Sequence, residues 1–409
     1  MVAKWGADLT LPVIYDSEAD IGRHRARWRK GVETLLEELD VSTPAKAREA
    51  ANAVTLMTNF YLSFQVRNDI EEQTLYGQLL HRIASAASPG AQRAAPARSR
   101  KPGDKIRVGF VSYFLYWHSV YKTHGRWITG LDRARFEIHT FYTGTRSDDS
   151  TKAVEDASDA FHDNLHDNDQ RAAMIAKSEL DVLVYLDIGM HPDMQLLGAL
   201  RLAPVQCVAG GHPVTSGLPT IDYYLSSDLM EPDDADDHYT ETLVRLPNLA
   251  NFYPALKVPE VKRTKRRGET VFLCSHNLYT RLPQHDQLFV RIAEAVPKSV
   301  FWFVADRTTA VTEQFHRRLA KAFTDAEARL VIHPRMVHQD FLAFNCKADV
   351  LLDTLLWSGH NSTFDSTACG LPIVTLPGPM MRGRHMGPAG FIIIDCKGET
   401  MRYSIMRRS

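Results

Sequence analysis

The stretch ADVLLDTLLWSGHNSTFDSTACGLPIVTLPG, residues 348–378, changes texture twice. It runs apolar, then small and polar, then apolar again. DVLLDTL is the continuous apolar run expected of a strand buried on both faces, as in a parallel sheet covered by crossover helices. STFDSTAC is predicted to be a helix. Ser362 with Asp365 three residues on makes a capping-box pattern, and Gly370 followed by Pro372 is a helix stop. The order is therefore strand, loop, helix, strand. The loop WSGHNS opens the helix at the carboxyl end of the first strand, where backbone N–H groups and the positive helix end converge. That arrangement suits a phosphate. Gly359 permits close backbone approach, and Asn361, Ser362 and Thr363 add short donors. A capped helix without a ligand is the other reading of the same residues.

Outward from this stretch, the same alternation recurs. TVFLCSHN, SVFWFVAD and ARLVIHP precede it as strands. Before a basic, Pro-containing break near residue 260 come IRVGFVSYF, EIHTFYTG, DVLVYLDI, PVQCVAG, DYYLSSD and TLVRLPN. KAVEDASDAFHDN and DNDQRAAMIAKSE read as helices between some of them. Strands alternating with helices imply parallel sheets. The expected fold class is α/β, with two Rossmann-like lobes, 105–258 and 268–385, facing a cleft. Ligands of open α/β sheets bind beyond the carboxyl ends of strands. Residues 1–87 read as a small all-α segment, with Trp28, Val32, Leu35, Leu36 and Leu39 at helical spacing. Residues 88–104, rich in Pro, Ala, Arg and Lys, read as a linker whose charges are solvated.

The 409 residues exceed what one hydrophobic core usually serves, so two or three domains are expected. A net charge of −1 implies no general attraction to nucleic acid or membrane. The five cysteines are scattered, with no CxxC pair, which fits a reducing compartment and a cytoplasmic location. The start lacks a signal-peptide core, and no apolar run approaches the ~20 residues of a membrane span.

Two histidines stand at strand-to-helix corners of the first lobe. His118 follows IRVGFVSYF, and His212 lies in the shaped loop GGHPVTSGLP after PVQCVA. A lone histidine is more often structural than catalytic. Two at strand ends, opposite a phosphate loop, make catalysis an equal reading.

Together, IRVGFVS, LRLAPVQCVAGGHPVTSGLPTIDYYLSSDLMEP, FLCSHNLYTRLPQHDQLF and the opening stretch resemble the bacterial branch of the O-GlcNAc transferase-like glycosyltransferases, GT41-type. The resemblance runs from about residue 11 to residue 385. It implies a GT-B fold and an inverting, metal-independent transfer from a UDP-sugar, typically UDP-GlcNAc, to a protein or peptide side chain. No cofactor beyond the donor substrate is implied. Carried over residue by residue, His118 and His212 are the catalytic candidates. Gly359, His360, Asn361, Ser362, Asp365, Asn277, Thr280, Arg281 and Phe341 fall on the donor site, Phe341 where a ring stacks on uracil. Asp187, Pro213, Thr215 and Ser216 fall on the cleft lining.

The departures are specific. The family has a lysine where this chain has Thr280, with Arg281 next to it. Adjacent side chains on an extended segment point to opposite faces. Residues 386–409 follow no pattern of the relatives, so the second lobe is expected to be incomplete. A catalytically impaired UDP-sugar-binding relic or interaction module is the alternative function. A sugar-nucleotide epimerase would explain the two sheets but not the loop sequences.

Overall fold

The computed structural model describes residues 2–91, 97–253, 255–261 and 268–385. The divergent tail, 386–409, lies outside the described residues, as do 92–96 of the expected linker and 262–267 of the basic break.

The chain opens with helices α1 (Val2–Leu9), α2 (Glu18–Glu38), α3 (Pro44–Val54) and α4 (Ile70–Ala87). The Ser-Thr-Pro entry works as local chemistry dictates. Thr43 caps α3 by accepting the Lys46 N–H at 3.3 Å, and Pro44 takes the first helical position, where no amide donor is needed. The α/β part continues with β1 (Ile106–Ser112), α5 (Ser119–Thr129), β2 (Phe136–Tyr142), α6 (Asp149–Asp156), β3 (Ala160–His162), α7 (Asn168–Lys177), β4 (Val182–Tyr185), α8 (Pro192–Gly198), β5 (Val205–Ala209), β6 (Tyr223–Ser227) and β7 (Thr242–Leu246). It resumes with β8 (Thr270–Cys274), α9 (Asp286–Ala295), β9 (Ser299–Val304), α10 (Thr309–Ala320), α11 (Ala326–Arg329), β10 (Leu330–His333), α12 (His338–Asn345), β11 (Val350–Leu352), α13 (Asn361–Ala368) and β12 (Ile373–Val374).

The chain divides into two compact units. The first comprises the described residues of Met1–Leu11, Arg25–Ser63 and Arg67–Phe252. The second comprises those of Pro12–His24, Phe64–Val66 and Tyr253–Ser409. The amino-terminal segment is thus shared between them.

The first unit carries a seven-stranded sheet in the order β3-β2-β1-β4-β5-β6-β7, every pairing parallel. Val108, Phe110, Ile138, Val184 and Cys207 fill one face of it. α4 is tied to this unit where His81 Nδ1 lies 2.8 Å from the Ala199 carbonyl. One reading is corrected here. KAVEDASDAFHDN is not all helix: α6 stops at Asp156, and β3 follows as a three-residue edge strand on β2. The Asp159 carboxylate, 2.7 Å from the Ile138 N–H, starts that pairing. So short an edge strand has too few residues to show a period of two.

The second unit carries a five-stranded parallel sheet, β10-β9-β8-β11-β12. Phe272, Phe289, Phe301, Phe303 and Phe315 dominate its core, and Ile14 is buried among them. Arg318 donates to the Tyr15 carbonyl at 3.0 Å, and Gln65 Nε2 donates to Tyr15 Oη at 2.7 Å. Those contacts explain why residues 12–24 and 64–66 belong to this unit. Among the described residues no helix is long and apolar enough to cross a membrane.

Candidate functional site

The loop between β11 and α13 is curled around one carboxylate. Asp353 Oδ1 accepts the N–H groups of Thr354 (2.9 Å) and Gly359 (2.8 Å), and Oδ2 accepts the Thr375 hydroxyl at 2.6 Å. Asp353 was not singled out in the sequence. Its signal is an acid closing the apolar run DVLLD, where only a structural role satisfies a buried charge. The turn passes through Leu356 at φ 65°, a left-handed conformation unusual for leucine.

Gly359 provides close approach, as its type suggested, and the group that approaches is a side chain. A Cβ at this position would lie 1.8 Å from His276 Nε2 and 2.4 Å from Thr363 Oγ1. His276 is buried, with Nδ1 3.0 Å from Thr354 Oγ1 and Nε2 3.2 Å from Thr363 Oγ1. Burial pushes its pKa well below the ordinary imidazole value, so the ring is neutral. It ties the end of β8 to the end of β11 and to the first turn of α13.

The capping-box reading of Ser362 and Asp365 is corrected. His360 is the N-cap of α13, with φ −104° and ψ −85°, and it makes no side-chain cap. The Thr363 and Phe364 amides bond the His360 carbonyl. The amides of Asn361 and Ser362 make no hydrogen bond among the described residues, and Asn361 Oδ1 is buried without a partner. Asp365 turns elsewhere: its Oδ1 lies 2.5 Å from Tyr253 Oη and 3.0 Å from His338 Nε2. Burial, reinforced by this carboxylate, raises the Tyr253 pKa beyond the ordinary phenol range. Tertiary partners outcompete the local amide. The helix does stop at Gly370, which takes φ 68°. Replacing Asp365 by asparagine is expected to lower the unfolding free energy by ~1–3 kcal/mol, since the Tyr253–His338 pair loses its charged acceptor. Urea denaturation reads this, and an unchanged midpoint would remove Asp365 as the holder of that pair.

Beside α13 lies a cavity of about 260 Å³. Residues 275–278 after β8 form one wall and 304–306 after β9 another. Arg335, Met336, His338 and Phe341, from the end of β10 and from α12, close it. Two expected donor residues, Asn277 and Phe341, therefore share one cavity. Gly359, His360, Asn361, Ser362 and Asp365 do not line it; Gly359 and Thr363 of the α13 entry pack against its wall residue His276, and Asp365 bonds its wall residue His338. His360 stacks on His385, ring centroids 4.8 Å apart.

Thr280 and Arg281 do not line the cavity. The Thr280 hydroxyl donates to the Asn277 carbonyl at 2.7 Å. Arg281 packs into the core of this unit, with its guanidinium 5.6 Å and 5.5 Å from the ring centres of Phe289 and Phe303. It is buried, so Arg281 is a core residue in this unit and not a cation facing phosphate. Sequence reasoning missed Arg335, His338 and Tyr253, which lie in stretches without a distinctive local pattern, and passed over His276 although it stands beside Asn277 in FLCSHNLYT.

In the first unit, His118, Asp187 and His212 follow β1, β4 and β5, so all three stand at the carboxyl edge of one sheet. His118 caps α5, with Nδ1 accepting the Val120 N–H at 3.3 Å, and its ring stacks on Phe114 at 4.3 Å. His212 is buried with its ring 5.0 Å from that of Phe60. Of the expected cleft-lining residues, Pro213, Thr215 and Asp187 are buried. Thr215 donates to Glu241 Oε2 at 2.6 Å, and the Ser216 N–H donates to Oε1 at 2.8 Å. These bonds shape the loop. Asp187 is fully buried, with Oδ2 accepting the Tyr113 N–H at 2.9 Å and Oδ1 unpartnered. Burial pushes its pKa up to about 7.

The chain is 26% identical over 294 residues to the probable UDP-N-acetylglucosamine–peptide N-acetylglucosaminyltransferase SPINDLY of Arabidopsis thaliana, covering 68% of this chain and 32% of that protein. It is 25% identical over 285 residues to a UDP-glucose:protein N-beta-glucosyltransferase of Actinobacillus pleuropneumoniae, covering 67% of this chain and 44% of that one. The chain thus spans about a third to less than half of the length of these relatives. Its fold matches a variant of the Thermobaculum terrenum O-GlcNAc transferase with a TM-score of 0.64 at 22% identity, over 94% of this chain and 85% of that one. The two parallel sheets are therefore those of a GT-B-like architecture. The profile of glycosyl transferase family 41 matches residues 60–253 and 259–388, nearly all of both sheets and the whole of the loop around Gly359, and the chain belongs to that family.

Proposed function

We propose that the chain is the sugar-transferring part of a UDP-sugar-dependent protein glycosyltransferase. GlcNAc is the favoured sugar, a Ser, Thr or Asn side chain of a protein or peptide the acceptor, and the transfer is inverting and metal-independent. The relatives' names supply the donor and acceptor classes. The observation that carries the reading in this chain is the cavity holding Phe341 and Asn277 beside the first turn of α13. A uracil stacks on Phe341, and the diphosphate meets the Asn361 and Ser362 amides. As the glycosidic bond breaks, charge grows on the diphosphate, and amides already aimed at it stabilise the leaving group. His118 and His212, at strand ends of the first unit, are the candidates for receiving the acceptor proton. The scattered cysteines and near-zero net charge fit a cytoplasmic protein with no nucleic-acid or membrane partner.

Calorimetric titration with UDP tests the donor site. Binding is expected, and Phe341→Ala is expected to weaken it about tenfold, because base–aromatic stacking contributes ~1–3 kcal/mol. Absence of binding to the wild type would overturn the proposal. Sugar release from UDP-GlcNAc, with and without peptide, then separates transfer from binding alone. The second reading, a binder with impaired catalysis, draws on Thr280 and Arg281, neither of which brings a cation to the cavity.

A further inference from the structure

We infer that Asp306 and Arg335 read the imide edge of the donor's nucleobase, so that the cavity selects a base with a carbonyl beside a ring N–H over cytosine or adenine. This rests on the donor-site reading above.

The order of strands separates the two ends of the cavity. α13 follows β11, on one side of β8; Asp306 and Arg335 follow β9 and β10, on the other. His338 spans between them. It lines the cavity, bonds Asp365 of α13, and lies one helical turn before Phe341 on α12. If the diphosphate meets the first turn of α13, the base reaches Phe341 and the edge formed by β9 and β10.

The two charged side chains at that edge offer one acceptor and one donor, the complement of an imide. Asp306 is held at the start of α10: its N–H donates to Thr312 Oγ1 at 2.9 Å, and its Oδ1 accepts the Thr308 N–H at 2.9 Å. Its Oδ2 takes no hydrogen bond among the described residues, and Arg335 makes neither a hydrogen bond nor an ion pair among them. The two do not pair with each other, although both line one cavity. A guanidinium only donates, and an ionised carboxylate only accepts. Uracil and guanine offer one carbonyl acceptor and one N–H donor side by side, matching the pair. Cytosine and adenine offer an amino donor and a bare ring nitrogen, so a donor meets Arg335 and an acceptor meets Asp306. Mismatched polar groups discriminate far more strongly than a change of shape.

The test is calorimetric titration of the whole chain with UDP, GDP, CDP and ADP, for wild type, Asp306→Asn and Arg335→Gln. Wild type is expected to prefer UDP over CDP by about tenfold or more. Asp306→Asn is expected to bring that ratio towards one, because an amide can also donate to the cytosine ring nitrogen. Arg335→Gln is expected to reduce the ratio for the same reason at the carbonyl. The UDP and GDP arms show which imide base fits the cavity, and preference for either over CDP and ADP supports the inference. Equal UDP and CDP affinity in wild type, or a ratio unchanged in both variants, would overturn it and leave the donor site standing. Failure of wild type to bind any of the four would overturn the donor site and the base reading together.

Discussion

Gly359→Ala is expected to abolish UDP binding and to cost ~1–3 kcal/mol or more of stability. The added carbon would sit 1.8 Å from His276 Nε2 and 2.4 Å from Thr363 Oγ1, well inside contact distance. Neither group can yield cheaply. His276 is buried and held at both nitrogens by threonine hydroxyls, and Thr363 lies in the first turn of α13. The strain must move the ring, which forms part of one cavity wall, or the helix, whose first-turn amides are proposed to meet the diphosphate. Either displacement would disrupt the proposed donor site. The assignment to the clash itself comes from a double variant. His276→Ala opens the space the new carbon needs, so Gly359→Ala should cost less in that background than in wild type. The difference is the coupling between the two positions. Gly359→Ala retaining the wild-type urea midpoint and UDP affinity would sink this account of the loop.

The second large effect concerns pH. In the first unit two buried groups are shifted in opposite chemical senses. Burial drives His124 down to about 4 and Asp187 up to about 7. His124 is buried between its neighbours, with Nδ1 2.7 Å from Thr123 Oγ1. Below the ordinary histidine value the unfolded chain binds a proton that folded His124 refuses, so its contribution is lost as pH falls from about 6.5 to about 4. Asp187 acts oppositely. Folded Asp187 keeps its proton up to about 7 while the unfolded acid has lost it, so its contribution is present below about 4 and is lost as pH rises to about 7. At ~1.4 kcal/mol per pKa unit each is worth a few kcal/mol, and the two act in opposite directions as pH changes. Each single variant removes one of the two slopes. Asp187→Asn is expected to steepen the loss of stability on acidification, and to be more stable than wild type at pH 8. His124→Asn is expected to lose less stability than wild type as pH falls from 7 to 4. Urea midpoints across that range read both, and parallel profiles for wild type and variants would refute the assignment.

Much of the architecture is legible in the chain because its causes are local. Continuous apolar runs such as VFLC and VLVY leave no polar side for a strand to expose, so they imply sheets covered on both faces. Thr43-Pro44 and Gly370 mark helix ends by backbone chemistry that needs no distant partner. β3 escaped because three residues at a sheet edge carry no readable period. Asn277 and Phe341 were placed on the donor site by resemblance of motif, and the cavity brings them together. Arg335 and His338 lie in a loop and a short helix whose composition is ordinary, so nothing nearby in the chain marks them.

What the sequence determined by itself is the succession strand, loop, helix, strand around Gly359 and the alternation that builds two parallel sheets. Which partner each polar side chain takes was decided only in three dimensions. Asp365 follows Ser362 at capping distance, yet it bonds Tyr253 and His338. Arg281 sits beside Thr280, yet it points into a cluster of phenylalanines. A helix or strand is a response to neighbours along the chain, whereas a buried charge settles on whichever donor or ring the packing of distant segments brings within reach.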